Sequence, residues 1–414
     1  MTSNKLRLTP KEFHRYLLNF KLHEKSSSTK KEELVLSGKA FPVFINEFWT
    51  AKQRQANSLH EVSYRACFKP QLPRFFIELF TKENEFVYDP FNGRGTTVIE
   101  AALMGRNVIA NDVNPLSLIL TRPRITIPSL KEIEKRLEKI ELGIVGDITN
   151  NGLDLSMFFH SRTLAEIIAL KNYLNEKAAL GNEDNTGRWI RMVATNRLTG
   201  HSNGFFSVYT LPPNQAVSAE RQKKINKQRN QKPEYRDVKK LILKKSKVLL
   251  SEVSNARSKK IVAQFLNTDA SKTRDIKNNS VSLTVTSPPF LDVVQYADDN
   301  WLRCWFNGID MNDVSKKITM SKTLEDWSTK MQSVFNELYR VTKPNGIVAF
   351  EVGEVRHGKI KLEEAVIPLG INAGFACDAL VINQQDFTKT ANIWGVSNNK
   401  AGTNSNRIVV FRKV

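Results

Sequence analysis

Apolar and polar positions fall into three regimes along this chain. The first 60 residues open with Thr9-Pro10-Lys11-Glu12, a capping box with proline at the first helical position, which predicts a helix over 9–20. Residues 21–33 are polar and rich in Ser and Lys, the pattern of a linker or a frayed helix end. Phe41, Phe44, Phe48 and Trp49 then recur at roughly helical spacing and read as core positions. The second regime, residues 70–120, reads strand, glycine loop, helix, strand. Phe86–Asp89 is apolar and extended in character. Thr96 or Thr97 is placed to cap a helix through Val98–Leu103, and Asn107–Ala110 is a second strand ending near Asp112. Arg122–Pro128 breaks the pattern as a linker, and Ser129-Leu130-Lys131-Glu132 starts a helix to about 142. From there to about 265 the pattern is mostly helical, including Leu164–Leu174, Trp189–Thr195 and the segment 221–260. Strands then return. Val281, Leu283 and Val285 alternate, residues 331–358 supply a helix and a strand, and 374–382 and 407–413 read as closing strands separated by turn residues such as Asn398–Gly402. There is no internal repeat.

Chemistry enters at two loops. In Asp89-Pro90-Phe91-Asn92-Gly93-Arg94-Gly95-Thr96-Thr97 the two glycines let the backbone turn sharply and approach a ligand closely. Asp112 follows about 20 residues later, the usual reach to ribose hydroxyls in the nucleotide-binding half of a doubly wound sheet. The second loop is Ser287-Pro288-Pro289-Phe290, at the end of the apolar run 281–285. Each proline fixes its own φ, removes a donor and holds its predecessor extended. A stiff loop results, offering a hydroxyl and carbonyl oxygens beside an aromatic ring. That set suits a flat base with an exocyclic amine: the ring stacks and the oxygens accept the amine's hydrogens. Ser-Pro-Pro also occurs in plain turns.

Together the two loops resemble the S-adenosylmethionine-dependent amino-methyltransferases of DNA. The resemblance covers roughly residues 60–120 and 260–414. It implies an α/β, doubly wound, Rossmann-like methyltransferase sheet. It implies a cofactor site built from Asp89, Pro90, Phe91, Gly93, Gly95, Thr96 and Thr97, with Asp112 and Asn114 at the ribose and Asp269, in Phe265–Ala270, at the adenine. Lys69 and Pro70, in Phe68–Pro73, match the element that cups the methionine moiety. The family usually has a small residue where Arg94 stands. Leu338–Gly346 with Ile347–Phe350 looks like a later helix, turn and strand of the same fold. The resemblance also implies that Ser287, Pro288, Pro289 and Phe290 form the catalytic loop. Serine at its head is typical of enzymes acting on cytosine N4, whereas adenine N6 enzymes more often carry Asp or Asn. The Ser287 hydroxyl and the Pro288 carbonyl would take the two amine hydrogens, and Phe290 would stack on a base extruded from the duplex. Fixed acceptors aimed at the nitrogen favour the transition state over the ground state.

Composition narrows the classes further. Methylation at cytosine C5 needs a thiolate, normally the Cys of a Pro-Cys pair, and none of Cys67, Cys304 and Cys377 follows a proline. Their spacing suits neither a zinc site nor a disulfide framework, so they read as buried free thiols of a reducing compartment. The six histidines are scattered and no metal is expected. No stretch reaches the length of a membrane span, and Met1–Leu6 lacks an apolar signal core, which makes the cytoplasm the expected compartment.

The net charge of +20 favours nucleic acid. Residues 221–260 hold 15 Lys and Arg against 3 acids, a net of +12. Such a run is either a solvated helical face or a DNA-contacting one, and its concentration points to double-stranded DNA. The expected organisation is an N-terminal helical extension (1–60), a catalytic domain (61–125 and 262–414) and an inserted, basic, mostly helical target-recognition domain (126–261). Within the insertion, Asn196–Ser207 is a loop of amides, glycines and aromatics. It either reads base edges or makes a tight connection, and the residues leave both open. Leu211–Gln215 reads as a rigid turn. The candidate DNA contacts are Arg197, His201, Arg221, Lys223, Lys224, Lys227 and Arg229, with Tyr296, six residues past Phe290, walling the base pocket. Trp301 and Trp305 read as core.

The leading expectation is a site-specific N4-cytosine DNA methyltransferase, with a separately encoded restriction endonuclease as a possible partner. Adenine N6 or an RNA amine is the alternative within the same fold. A dinucleotide-dependent oxidoreductase is a different class, but Val98 stands where its third glycine belongs. A DNA-binding protein without activity is a third class, separated from the first by a methyl-transfer assay.

Overall fold

The computed structural model describes residues 8–24, 27–50, 56–64, 67–143, 153–211, 216–253, 260–290, 296–317, 321, 323–355, 360–384 and 405–414. In chain order the elements are α1 (Pro10–Leu18), β1 (Lys30–Leu36), β2 (Lys39–Asn46), α2 (Gln71–Phe80), β3 (Phe86–Asp89), α3 (Thr96–Leu103), β4 (Asn107–Asn111) and α4 (Pro115–Thr121). Five helices follow, α5 (Leu130–Lys139), α6 (Ser161–Ala179), α7 (Asn185–Arg197), α8 (Ala219–Gln228) and α9 (Val238–Leu250). Then come β5 (Ala263–Leu266), β6 (Val281–Thr286), α10 (Tyr296–Asn307), α11 (Met311–Lys317), α12 (Leu324–Val341) and β7 (Thr342–Val352). The chain closes with β8 (Glu354–Val355), β9 (Ile360–Lys361), α13 (Leu362–Asn372), β10 (Phe375–Gln384) and β11 (Ser405–Lys413). Among the described residues no helix is long and apolar enough to cross a membrane.

Nine strands form one mixed sheet in the order β1-β2-β10-β11-β7-β6-β3-β4-β5, and β8 and β9 make a separate small hairpin. β5, β4, β3, β6 and β7 run parallel, β11 is antiparallel to both its neighbours, and β2 is parallel to β10. The order reverses at β3, which lies between β4 and β6. In an open α/β sheet that reversal opens a crevice beyond the carboxyl ends of the strands. β6 is buried along its whole length, the signature of a parallel strand covered on both faces. On one face α1 and α2 cover Val87, Val108, Leu283 and Val285 with Phe13, Phe76 and Phe80; on the other, α12 and α13 cover Tyr88, Ile109, Val348 and Phe350 with Trp327, Phe335 and Val366. This is the doubly wound sheet expected from the sequence.

The first 60 residues differ from expectation. α1 forms with its capping box intact, but residues 30–46, expected as linker and helix, make a hairpin that pairs with β10. Phe41 and Val43 face one core and Phe44 the other, so β2 is apolar on both sides and its spacing imitates a helix. The core role of Phe41, Phe44, Phe48 and Trp49 holds. The N-terminal part is thus an extension of the sheet and not a helical appendage.

Arg122–Pro128 is also not a free linker. Arg122–Arg124 is a 3-10 turn continuing from α4, and Arg124 is 1% exposed. Its guanidinium donates to the Leu120 carbonyl at 2.8 Å, to the Leu59 carbonyl at 2.9 Å and to the Arg94 carbonyl. The described residues of 126–261 are mostly helical, as expected. Its core, with Trp189, Ile190, Phe158 and Ile242, also takes in Leu116 and Leu120 of α4 and Leu302 and Phe306 of α10. The Trp189 indole N–H donates to Ser246 Oγ at 3.0 Å, tying α7 to α9. Trp301 and Trp305 pack against this same core. The turn expected at Asn398–Gly402 lies outside the described residues.

Phe13 is 0% exposed and meets the Phe80 ring edge-on at 5.0 Å. Because α1 closes the sheet's core, Phe13→Ala lowers stability by about 3–5 kcal/mol, measured by urea unfolding. A detachable extension would leave the midpoint unchanged.

Candidate active site

The carboxyl ends of β3, β4 and β6 converge on one point. Asp89 ends β3 and Thr286 ends β6, and the Thr286 hydroxyl donates to Asp89 Oδ1 at 2.7 Å. The Phe91 amide donates to the same oxygen at 3.1 Å, which turns the chain into the glycine loop. Asn92 closes that loop. Its amide donates to the Asn111 carbonyl at 3.0 Å, its carbonyl accepts from the Gly95 amide at 2.7 Å, and its side-chain Nδ2 reaches Ser117 and Thr121, each at 2.8 Å. Gly95 has φ +83°, and a Cβ there would lie 2.5 Å from Thr121 Oγ1, so both backbone and space demand glycine.

Gly95, not Thr96 or Thr97, is the N-cap of α3, with no side-chain cap bond. The left-handed turn carries the chain into the helix directly, and both threonines are buried inside it. The Thr97 hydroxyl donates to the Val285 carbonyl at 3.0 Å, a second tie between the glycine loop and β6. Arg94 is buried as well. It donates to the Val62 carbonyl (3.1 Å), the Phe68 carbonyl (3.5 Å) and Thr96 Oγ1 (3.2 Å), so it braces the segment before α2 against the loop.

Asp112 holds the other side. Its Oδ2 accepts from the Gly93 amide at 2.8 Å and its Oδ1 from the Asn114 amide at 2.9 Å. Asn111 Oδ1 accepts from the Thr268 amide and hydroxyl, both at 3.1 Å, and Asn267 Nδ2 donates to the Asp112 carbonyl at 2.6 Å. These bonds bring the loop after β5 to the site. There Asp269 is exposed, its Oδ1 accepting from the Ser271 amide (2.8 Å) and hydroxyl (2.7 Å).

A cavity of about 240 Å³ occupies this crevice. Of the residues named from sequence, Asp89, Pro90, Phe91, Gly93, Thr96, Asp112, Asn114, Asp269, Ser287 and Pro289 line it. Lys69, Pro70, Gly95, Thr97, Pro288 and Phe290 do not. Gly95 and Thr97 act behind the wall, as above. The Lys69 ammonium is pulled below its ordinary pKa by burial and then by Arg94. The Pro289 carbonyl accepts from the Trp327 indole at 2.9 Å, and the Phe290 ring lies against Gly353, where a Cβ would meet it at 3.1 Å. The wall also includes residues not named from sequence. Tyr64, Cys67 and Phe68 come from before α2, and Lys330, Met331, Ser333 and Val334 from α12. Phe68 heads the Phe68–Pro73 element, though it was not singled out there as a site residue. The α12 residues carry no local signal, because only the fold of the sheet brings them here.

The candidate DNA contacts lie elsewhere. Arg197 stacks its guanidinium 3.9 Å from the centre of the Phe205 ring, and burial, with Arg303 nearby, lowers it to about 10. The loop 196–207 is buttressed from within: Asn196 Nδ2 donates to the Ser63 carbonyl at 3.0 Å, and Arg236 donates to the carbonyls of Ser202, Phe205 and Ser207. Only its tip, His201-Ser202-Asn203, is exposed. Arg221, Lys223, Lys224, Lys227 and Arg229 are all exposed on α8 and its end, with Arg229 over the Tyr209 ring at 3.8 Å. The Tyr296 side chain and Pro212–Gln215 lie outside the described residues. Among the described residues no cluster of His, Cys, Asp and Glu is arranged to hold a metal ion.

Burial is the first cause that raises Asp89 to about 7 and Asp112 to about 6. Both carboxyls therefore bind their protons more tightly folded than unfolded. Stability conferred by them is present below the unfolded value near 4 and is lost as pH rises toward 7. Asn in place of Asp89 can still accept both hydrogen bonds on Oδ1. Asp89→Asn should flatten the decline in unfolding free energy between about pH 4 and 7, measured by urea titration across that range. An unchanged slope contradicts the buried, protonatable state.

Residues 8–118 match a family model described as DNA methylase. The chain is 23% identical over 304 residues to Type II methyltransferase M.MvaI of Kocuria varians, covering 66% of this chain and 63% of that one. It is 28% identical over 74 residues to Type II methyltransferase M.MjaII of Methanocaldococcus jannaschii, covering 18% and 14%. The matches thus span less than two thirds of the length of these curated relatives. Among solved structures, TrmN from Thermus thermophilus is similar over 95% of this chain and 62% of its own, at 12% identity and a TM-score of 0.34.

Proposed function

We propose that this protein is an S-adenosylmethionine-dependent DNA methyltransferase that methylates the exocyclic N4 amine of cytosine in duplex DNA, as the modification enzyme of a type II system. The observation that carries the reading is that Ser287 and Pro289 share one cavity with Asp89, Gly93, Asp112 and Asp269. The donor pocket and the amine-accepting loop open into the same space.

The residues fit the cofactor. Asp112 is fixed by two backbone amides with its carboxyl facing the cavity, as a ribose diol requires. Asp269 is anchored on one oxygen and stands at the adenine end, while Phe91 and Val334 offer apolar walls. When bound, S-adenosylmethionine supplies a methyl group already activated on a sulfonium. The chain's own work is then to orient and to accept. Ser287 Oγ and the Pro288 carbonyl accept hydrogen bonds from the two amine hydrogens and localise its lone pair for in-line attack, after which the amine sheds one proton. Phe290 supplies the ring that stacks on the extruded base. A C5 route is disfavoured: Cys67 lines the cavity, but burial raises its thiol above the ordinary value, which keeps it protonated. The exposed cations of α8 contact phosphates and make binding fall with salt, and the helical insertion supplies target recognition. Serine at position 287 favours cytosine over adenine.

The test is mass spectrometry of nucleosides from DNA incubated with the protein and isotopically labelled S-adenosylmethionine. Label in N4-methylcytosine is the expected result, with Ser287→Ala lowering turnover by about 10²–10³-fold. Label in N6-methyladenine would overturn the acceptor, and no label in any DNA would overturn the reading.

A further inference from the structure

The end of β7 is built against the Ser-Pro-Pro-Phe loop. β6 and β7 pair in parallel with Thr286 beside Phe350, so the next residues, Glu351 and the cavity-lining Ser287, stand side by side. The Glu351 carboxylate accepts a hydrogen bond from Ser287. Its Oε1 also accepts from Asn406 Nδ2 at 2.7 Å, from the neighbouring strand β11. Two residues further on, Gly353 closes against the Phe290 ring. One strand end therefore braces both polar and aromatic members of the loop.

Among the described residues no cation pairs with Glu351. Arg407 on β11 is engaged with Glu363 at 2.6 Å, Lys330 of α12 lines the cavity, and Asp89, across β6, takes the Thr286 hydroxyl. A part-buried carboxylate held by two neutral donors is costly unless it serves those donors. What it serves follows from the chemistry of a hydroxyl, which both donates and accepts and rotates to suit its surroundings. A serine left to rotate can present its proton to the amine as readily as a lone pair.

We propose that Glu351 is a positioning residue for methyl transfer: it draws the Ser287 proton toward itself and leaves the Ser287 lone pairs facing the incoming amine. The inference rests on the reading of Ser287 as the amine's acceptor. Asn406 gives the arrangement its polarity. With Oε1 committed to Asn406, the second oxygen faces Ser287 and, ionised, can only accept. Protonated, that oxygen donates instead and occupies an Oγ lone pair. Burial lifts the Glu351 carboxyl above its ordinary value, so the active, ionised form is gained as pH rises through that raised value. Glu351→Gln mimics the protonated form, because its amide nitrogen must donate to Ser287.

The experiment is kcat against pH for wild type, Glu351→Gln and Glu351→Asp, with S-adenosylmethionine affinity by calorimetry as a check on the fold. Glu351→Gln should lower kcat about 10- to 100-fold, leave cofactor affinity unchanged and flatten the acid limb. Glu351→Asp should restore part of the rate and the limb. Full rate with an unaltered profile in Glu351→Gln, or equal loss of kcat and cofactor affinity, overturns the proposal. A second readout does not need activity. In carbon-13 glutamate-labelled protein, the carboxyl signal absent from Glu351→Gln should titrate above the ordinary range and move higher still in Ser287→Ala. No movement overturns the proposal. Movement in a protein that methylates no DNA would leave the Glu351–Ser287 coupling standing and remove the functional reading alone.

Discussion

The buried hydrogen bond from Thr286 to Asp89 joins the two halves of the site. Asp89 closes β3 and opens the glycine loop, while Thr286 closes β6 and opens the Ser-Pro-Pro loop. With the Thr97 hydroxyl on the Val285 carbonyl, it fixes the distance between the glycine loop and the Ser-Pro-Pro loop. Buried in an apolar sheet, the carboxyl is driven to about 7, so this join carries a charge that changes near neutrality. A polar network with its main groups satisfied specifies one geometry, and the same low dielectric makes its loss expensive. Asp112 repeats the pattern on the other flank, exchanging its solvation for two backbone amides.

The protein uses arginine as internal scaffolding. Arg94, Arg124 and Arg236 each reach several backbone carbonyls from loops that would otherwise lack partners. Buried guanidiniums repel one another, and Arg124 is lowered to about 9 by burial first and then by Arg94. The positive charge of the chain therefore has two fates. Some of it is structural and hidden at the junction of sheet and insertion. The rest, on α8, stands in solvent and is available to phosphates.

What the sequence made legible was local. The capping box at Thr9, the helix start at Ser129, the strand-loop-helix around Gly93 and Gly95, and the strand ending at Ser287 all depend on neighbours within a few residues, and all form. The failures involve distant partners. Phe41 and Phe44 looked helical because β2 is buried on both faces, a fact set by β10 more than 300 residues away. Arg124 looked like linker because its acceptors, Leu59 and Arg94, are remote in sequence. The α12 wall of the cavity and Glu351 were invisible for the same reason: parallel pairing places Glu351 beside Ser287, and no motif announces it. Arg94, which departs from the resemblance, acquires a role only once the Val62 and Phe68 carbonyls are seen to converge on it.

The central claim is that the crevice at the reversal of strand order binds an adenosyl cofactor through Asp112, independently of the loop that accepts the amine. Calorimetric titration of S-adenosylmethionine into wild type, Asp112→Ala and Ser287→Ala tests it most directly. The account predicts one site per chain, affinity at least about tenfold weaker in Asp112→Ala, as expected for the loss of charge-assisted hydrogen bonds, and unchanged affinity in Ser287→Ala. Absence of binding to wild type, or equal affinity in Asp112→Ala, would contradict it.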